Sequence, residues 1–78
     1  MPPPQTMLQT EVLVFRTNIP SYAHDVIGEA FSRLPITKWN VDHDDYDHVL
    51  RIECQGITNA EIINTISEIG FFCEALPD

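Results

Sequence analysis

The sequence predicts a single α+β domain with the element order strand–helix–strand–strand–helix–strand. Three observations predict it. Short apolar runs alternate with a period of two, and two longer segments carry apolar residues at helical spacing. Proline and glycine breakers separate these runs, at Pro20, Pro35, Gly56 and Gly70. The chain has 78 residues, enough for one domain and no more. An apolar fraction of 44% is ordinary for a globular protein and argues against disorder.

Residues 11–17, EVLVFRT, read as a central strand rich in Val, Leu and Phe. Asn18 to Ser21 carry breaker chemistry around Pro20, and Ser21 is placed to cap a helix running to Leu34. Ala23, Val26, Ile27, Ala30, Phe31 and Leu34 fall on one face of that helix, and Pro35 ends it. The second strand spans Ile36 to Val41, with Trp39 and Val41 directed inward. Residues 42–48, DHDDYDH, form a turn region. The third strand runs from His48 to Gln55, with Leu50, Ile52 and Cys54 on one face, and Gly56 breaks it. Thr58 and Glu61 fit a capping box, opening a second helix that buries Ile62, Ile63, Ile66 and Ile69 and stops at Gly70. Phe71 to Leu76 complete the set as a last strand. Right-handed crossovers in both halves give a ferredoxin-like βαββαβ sandwich, with sheet order 4-1-3-2 and two helices on one face. In that topology the first loop (Pro20 to Asp25), the 42–48 hairpin and Gly70–Phe71 share one end. Residues 1–10, with Pro2, Pro3 and Pro4, read as an extended or disordered Pro-rich tail ahead of the domain at 11–78, and the native start is Met1 or Met7.

Twelve acidic residues face only four basic ones, Arg16, Arg33, Lys38 and Arg51, for a net charge of -8. That balance repels phosphate backbones and anionic membranes, so nucleic acid and membrane are not expected partners. No apolar run reaches the length of a membrane span, and the N-terminal segment lacks the basic start and apolar stretch of a signal peptide. A cytoplasmic location is the resulting expectation.

The packing positions Ile27, Ala30, Phe31, Leu34, Pro35 and Ile36, then Val41-Asp42, Leu50-x-Ile52 and Gly70-Phe71, carry a family likeness. From about residue 11 to residue 76 the chain resembles the heavy-metal-associated domain, the copper-chaperone-like module also found at the N-termini of metal-pumping ATPases. The resemblance implies the fold. The family's Met-x-Cys-x-x-Cys motif, however, maps its methionine onto Asn18 and its cysteines onto Pro20 and Ala23, none of which offers sulfur. The family's glycine after the first helix is also missing, since Ile36 directly follows Pro35. Soft Cu(I) needs thiolate or thioether donors, so the resemblance does not bring copper chemistry with it.

Cys54 and Cys73 fall on strands separated by the first strand, roughly 9–10 Å apart, too far for a disulfide. Both read as small core residues. The hairpin Asp42 to His48 has two readings. It is a solvated turn in which Asp side chains bond to backbone. Alternatively, His43, Asp45 and His48 join His24 and Asp25 of the neighbouring loop as ligands for Zn(II), Ni(II) or Cu(II), which imidazole and carboxylate suit. On the face of the sheet away from the helices, Val12, Val14, Val49 and Phe72 form an apolar patch of the kind used for self-association or a protein partner. No nucleophile–base set and no glycine-rich phosphate loop is present, so no enzyme and no organic cofactor is expected. The leading expectation is therefore a non-enzymatic module acting through protein contacts, including a homodimer. Divalent metal binding at the hairpin end is the alternative. A small-molecule sensor of the same topology ranks last, because nothing in the sequence marks a pocket.

Overall fold

The structure, a computed structural model, describes residues 10–77. The Pro-rich segment 1–9 and Asp78 lie outside the described residues. The strands are β1 (Glu11–Thr17), β2 (Ile36–Asp42), β3 (Val49–Cys54) and β4 (Cys73–Ala75), and the helices are α1 (His24–Phe31) and α2 (Asn59–Ile69). They form a small α+β unit with one four-stranded antiparallel sheet, hydrogen-bonded in the order β2-β3-β1-β4, consistent with a ferredoxin-like fold.

The core is one cluster. Phe15, Leu50 and Ile52 from the central strands meet Ile27 and Phe31 of α1 and Ile62 and Ile66 of α2, all essentially without solvent exposure. The pairings Leu13–Ile52 and Phe15–Leu50 set these side chains on one face of the sheet. Residues paired on the opposite face alternate in character: Val12 lies across from Glu53, Val14 from Arg51, Val49 from Asp42, and Arg16 from Glu74. The expected apolar patch is thus threaded with charges. Val12 and Phe72 are nonetheless 55% and 48% exposed.

α2 is built by local chemistry. Thr58 Oγ1 accepts the Glu61 backbone N–H, and Gly70, at φ 112°, closes the helix in a left-handed conformation that disfavours any side chain. Its buried face is narrower than expected: Ile62 and Ile66 are buried, while Ile63 and Ile69 are half-buried.

The first helix departs from expectation at both ends. Ser21 makes no side-chain cap. Ser21–Ala23 instead wind as a 3-10 turn, closed by the Ala23 N–H donating to the Pro20 carbonyl at 3.1 Å, and α1 begins at His24. Its other end is Phe31 and not Leu34. There the bonds tighten to i→i−3, with Arg33 N–H on Ala30 and Leu34 N–H on Phe31, as the chain approaches Pro35. With fewer than three turns, α1 buries a narrow stripe, Ile27 and Phe31, and Val26 is 43% exposed where a buried position was expected. Trp39 lies over Gly28, where a Cβ would make an ordinary van der Waals contact with the indole ring at 3.5 Å. Trp39 packs edge-on against Phe31, with ring centroids 5.3 Å apart.

β4 is three residues long, shorter than the span 71–76 read from the sequence. Phe72 is occupied otherwise: its N–H donates to Asn18 Oδ1 at 2.8 Å, tying the α2–β4 connection to the loop after β1.

Candidate metal centre

Three connections meet at one end of the sheet, and hydrogen bonds hold them in place. At the last residue of β1, the Thr17 N–H donates to the Asp47 carbonyl at 3.0 Å. The Thr17 hydroxyl donates to the His48 carbonyl at 2.7 Å and accepts the Ile19 N–H at 3.2 Å. Thr17 is the buried polar residue of the core, and this double role satisfies it. The hairpin is shaped by its own carboxylates. Asp42 Oδ1 accepts the Asp44 N–H, and Asp45 Oδ1 accepts the Asp47 N–H, both turn-forming bonds. His48 then takes a left-handed backbone, φ 44°, which costs a β-carbon-bearing residue some strain.

The consequence is a row of three imidazoles. His43 Nδ1 lies 3.3 Å from His48 Nδ1, and His43 Nε2 lies 3.3 Å from His24 Nε2. His24, first residue of α1, also rests near the Trp39 ring, with centroids 5.0 Å apart. His43 and His48 are half-buried and His24 is exposed. The five candidate ligands thus divide. His24, His43 and His48 come together from two separate segments. Asp45 spends an oxygen on the turn, and Asp25 is exposed in the first turn of α1. Among the described residues, no set of three or more His, Cys, Asp or Glu side chains converges on one metal position. The row is two adjacent pairs, with His43 in both.

Spacing gives each pair its meaning. Two imidazole nitrogens bound to one tetrahedral ion at about 2.0–2.1 Å stand roughly 3.3 Å apart. Each pair already has that separation. The donors are imidazoles, borderline ligands suited to Zn(II), Ni(II) and Cu(II). They do not suit Cu(I), and the first loop supplies no sulfur: Asn18 holds Phe72, Pro20 accepts a turn hydrogen bond and Ala23 is buried.

The two cysteines are remote from each other, Cys73 at the hairpin end of the sheet beside Thr17 and Cys54 at the far end. Cys54 pairs with Glu11 and Cys73 with Thr17, at opposite ends of β1, so the register separates them by about 20 Å and not by two strand widths alone. Both are free and buried. Burial pushes the Cys54 thiol up, aided by the Glu11 carboxylate, and pushes Cys73 from 9.0 to about 11. Native Cys73 therefore keeps a proton that the unfolded chain loses above pH 9. Stability from this group is intact below pH 9 and falls as pH rises toward 11. Urea denaturation from pH 8 to pH 10.5 should show a steeper loss for the native sequence than for Cys73→Ala. Equal slopes would show that the thiol is not protected.

A concavity lies between the helices, lined by Ala30, Arg33, Leu34, Thr65, Glu68 and Ile69, with a volume of about 330 Å³. It is open to solvent and carries no convergent set of polar groups. No helix among the described residues is long and apolar enough to cross a membrane. No protein-family model, no curated protein and no solved structure matches this chain.

Proposed function

We propose that this chain is a small non-enzymatic module that binds a divalent transition metal, Zn(II), Ni(II) or Cu(II), where the start of α1 meets the β2–β3 hairpin. One observation carries the reading: imidazoles from separate segments, His24 and the His43/His48 hairpin, stand with ring nitrogens 3.3 Å apart, the spacing of paired ligands on a tetrahedral ion. Water completes such a two-imidazole site, giving an exchangeable ion and not a closed structural one. The fold taken here is ferredoxin-like with both helices over one face of the sheet, supported by the core they share with Phe15, Leu50 and Ile52. Kinship with the heavy-metal-associated domain is part of the same proposal and rests on the packing positions, without the thiolate site. Docking of a protein partner or a second copy through Val12, Val14, Val49 and Phe72 has less support, because Glu53, Arg51, Asp42 and Arg16 are interleaved on that face.

The test is a titration of chelator-treated full-length protein with Zn(II), followed by the NMR signals of the imidazole rings. Signals from His24, His43 and His48 should move together at micromolar metal. Signals that stay put at that concentration would end the proposal.

A further inference from the structure

We infer that this chain pairs with a second copy of itself through β2, strand edge to strand edge, about a two-fold axis at Asn40. The inference is independent of the metal site. In the order β2-β3-β1-β4, β2 is an outer strand, and among the described residues nothing pairs with its open side. Hydrogen-bond direction alternates along a strand, so the ladder shows which backbone groups are left over. The Val14 carbonyl accepts the Leu76 N–H on the β4 side, so Leu13 and Phe15 bond toward β3. Their partners Ile52 and Leu50 bond back to β1, which leaves Val49, Arg51 and Glu53 bonding to β2. The β2 residues opposite those three are Asp42, Asn40 and Lys38. The N–H and C=O groups of Trp39 and Val41 therefore face the open edge.

The stretch Lys38-Trp39-Asn40-Val41-Asp42 fits its own antiparallel copy. With Asn40 opposite itself, Trp39 of each copy meets Val41 of the other. These are the residues with open backbone groups, so each such pair exchanges both its hydrogen bonds. One step further out, Lys38 meets Asp42, once on each side of the axis. Both are exposed, and they fall in non-hydrogen-bonded positions, where side chains of paired strands come closest. Lys38 is in no ion pair among the described residues, and Asp42 spends only Oδ1 on the Asp44 N–H. A lysine on an edge strand ordinarily keeps a second strand away. Here the strand carries the counter-charge at the matching position, and β2 is neutral within a chain of net charge -8. No other antiparallel register sets Lys38 against Asp42. The opposite edge of the sheet is less suited: β4 has three residues, and its Glu74 is held by Arg16 at 3.2 Å.

The experiment is sedimentation equilibrium of full-length protein in EDTA, up to about 1 mM, with amide hydrogen exchange measured over the same range. The expected result is a dimer that grows with concentration while exchange at the Trp39 and Val41 amides slows. Lys38→Glu puts like charges in both outer pairs and should weaken association by about 10-fold or more. Asp42→Lys should do the same from the other side. Mixed in equal amounts, the two variants should associate with each other, because opposite charges then meet at both positions. Circular dichroism verifies that each variant is folded. A monomer at every concentration would overturn the inference, whether the edge stays bare or another segment covers it. A dimer whose Trp39 and Val41 amides exchange at the monomer's rate would also overturn it and move the contact elsewhere, such as to the Val12 and Phe72 face. Folded variants that associate as the native chain does, or that ignore each other when mixed, would do the same. Zn(II) binding is read separately, so failure here leaves the metal-binding reading standing.

Discussion

Phe15→Ala is expected to lower stability by about 3–5 kcal/mol, the cost of emptying a buried aromatic position. Phe15 is fully buried at the centre of the central strand β1, beside Leu50 and within the cluster that joins both helices to the sheet. A domain of this size has roughly 4–12 kcal/mol in total, so the substitution removes a large share of its stability. Little can refill the space, because the neighbours Leu50 and Ile52 of β3 and Ile62 and Ile66 of α2 are themselves buried. Urea denaturation followed by Trp39 emission measures the effect. The single tryptophan lies against Phe31 and His24, so its signal reports the α1–sheet contact directly. A loss below about 1 kcal/mol would mean that the core is not centred on β1.

His43→Ala should have the largest effect on metal binding. Removing partners one shell away from a metal costs 10–100-fold in affinity, so deleting a ligand common to both imidazole pairs should cost more than about 100-fold. His24→Ala and His48→Ala each remove one pair, and each should retain binding at the other. Stability should hardly change. His43 is half-buried in a turn, outside the core cluster, and such positions usually shift stability by no more than about 0.5 kcal/mol. The two readouts separate a ligand from a structural residue: Zn(II) affinity collapses while the urea midpoint stays in place. An unchanged Zn(II) affinity in the folded variant would remove His43 from the site and the proposed function with it.

These two residues also show where sequence reading succeeds and where it stops. With Val12 and Val14 read on the outer face, alternation along the strand, a local property, turns Phe15 inward. α2 was legible end to end for the same reason: the Thr58–Glu61 box and the left-handed Gly70 act within one turn of the helix they bound. The start of α1 was not. Ser21 has the chemistry of a cap, but Pro20 and the buried Ala23 draw the chain into a 3-10 turn first. Val26 was misplaced with it, since a helix of eight residues covers a narrower strip of sheet than one of fourteen. The histidines were nameable as candidates because the topology gathers their loops at one end. Their ring-to-ring contacts were not, because they depend on two carboxylates folding the hairpin and on the left-handed backbone of His48. The role of Thr17, whose hydroxyl holds His48, had no sequence signal at all.

Sequence alone determined the class of the domain, the existence of each strand and helix, the inward positions of the central strands and the lack of sulfur in the first loop. All of these follow from periodicity, capping and composition, which act over a few residues. Tertiary structure decided the register, and register decided the rest. It sent Cys54 and Cys73 to opposite ends of β1, set Glu53 and Arg51 across from Val12 and Val14, and joined His24 to a hairpin nineteen residues away. The physical reason is that contacts between distant segments are fixed by how whole elements pack against a shared core, and no short stretch of chain contains that information.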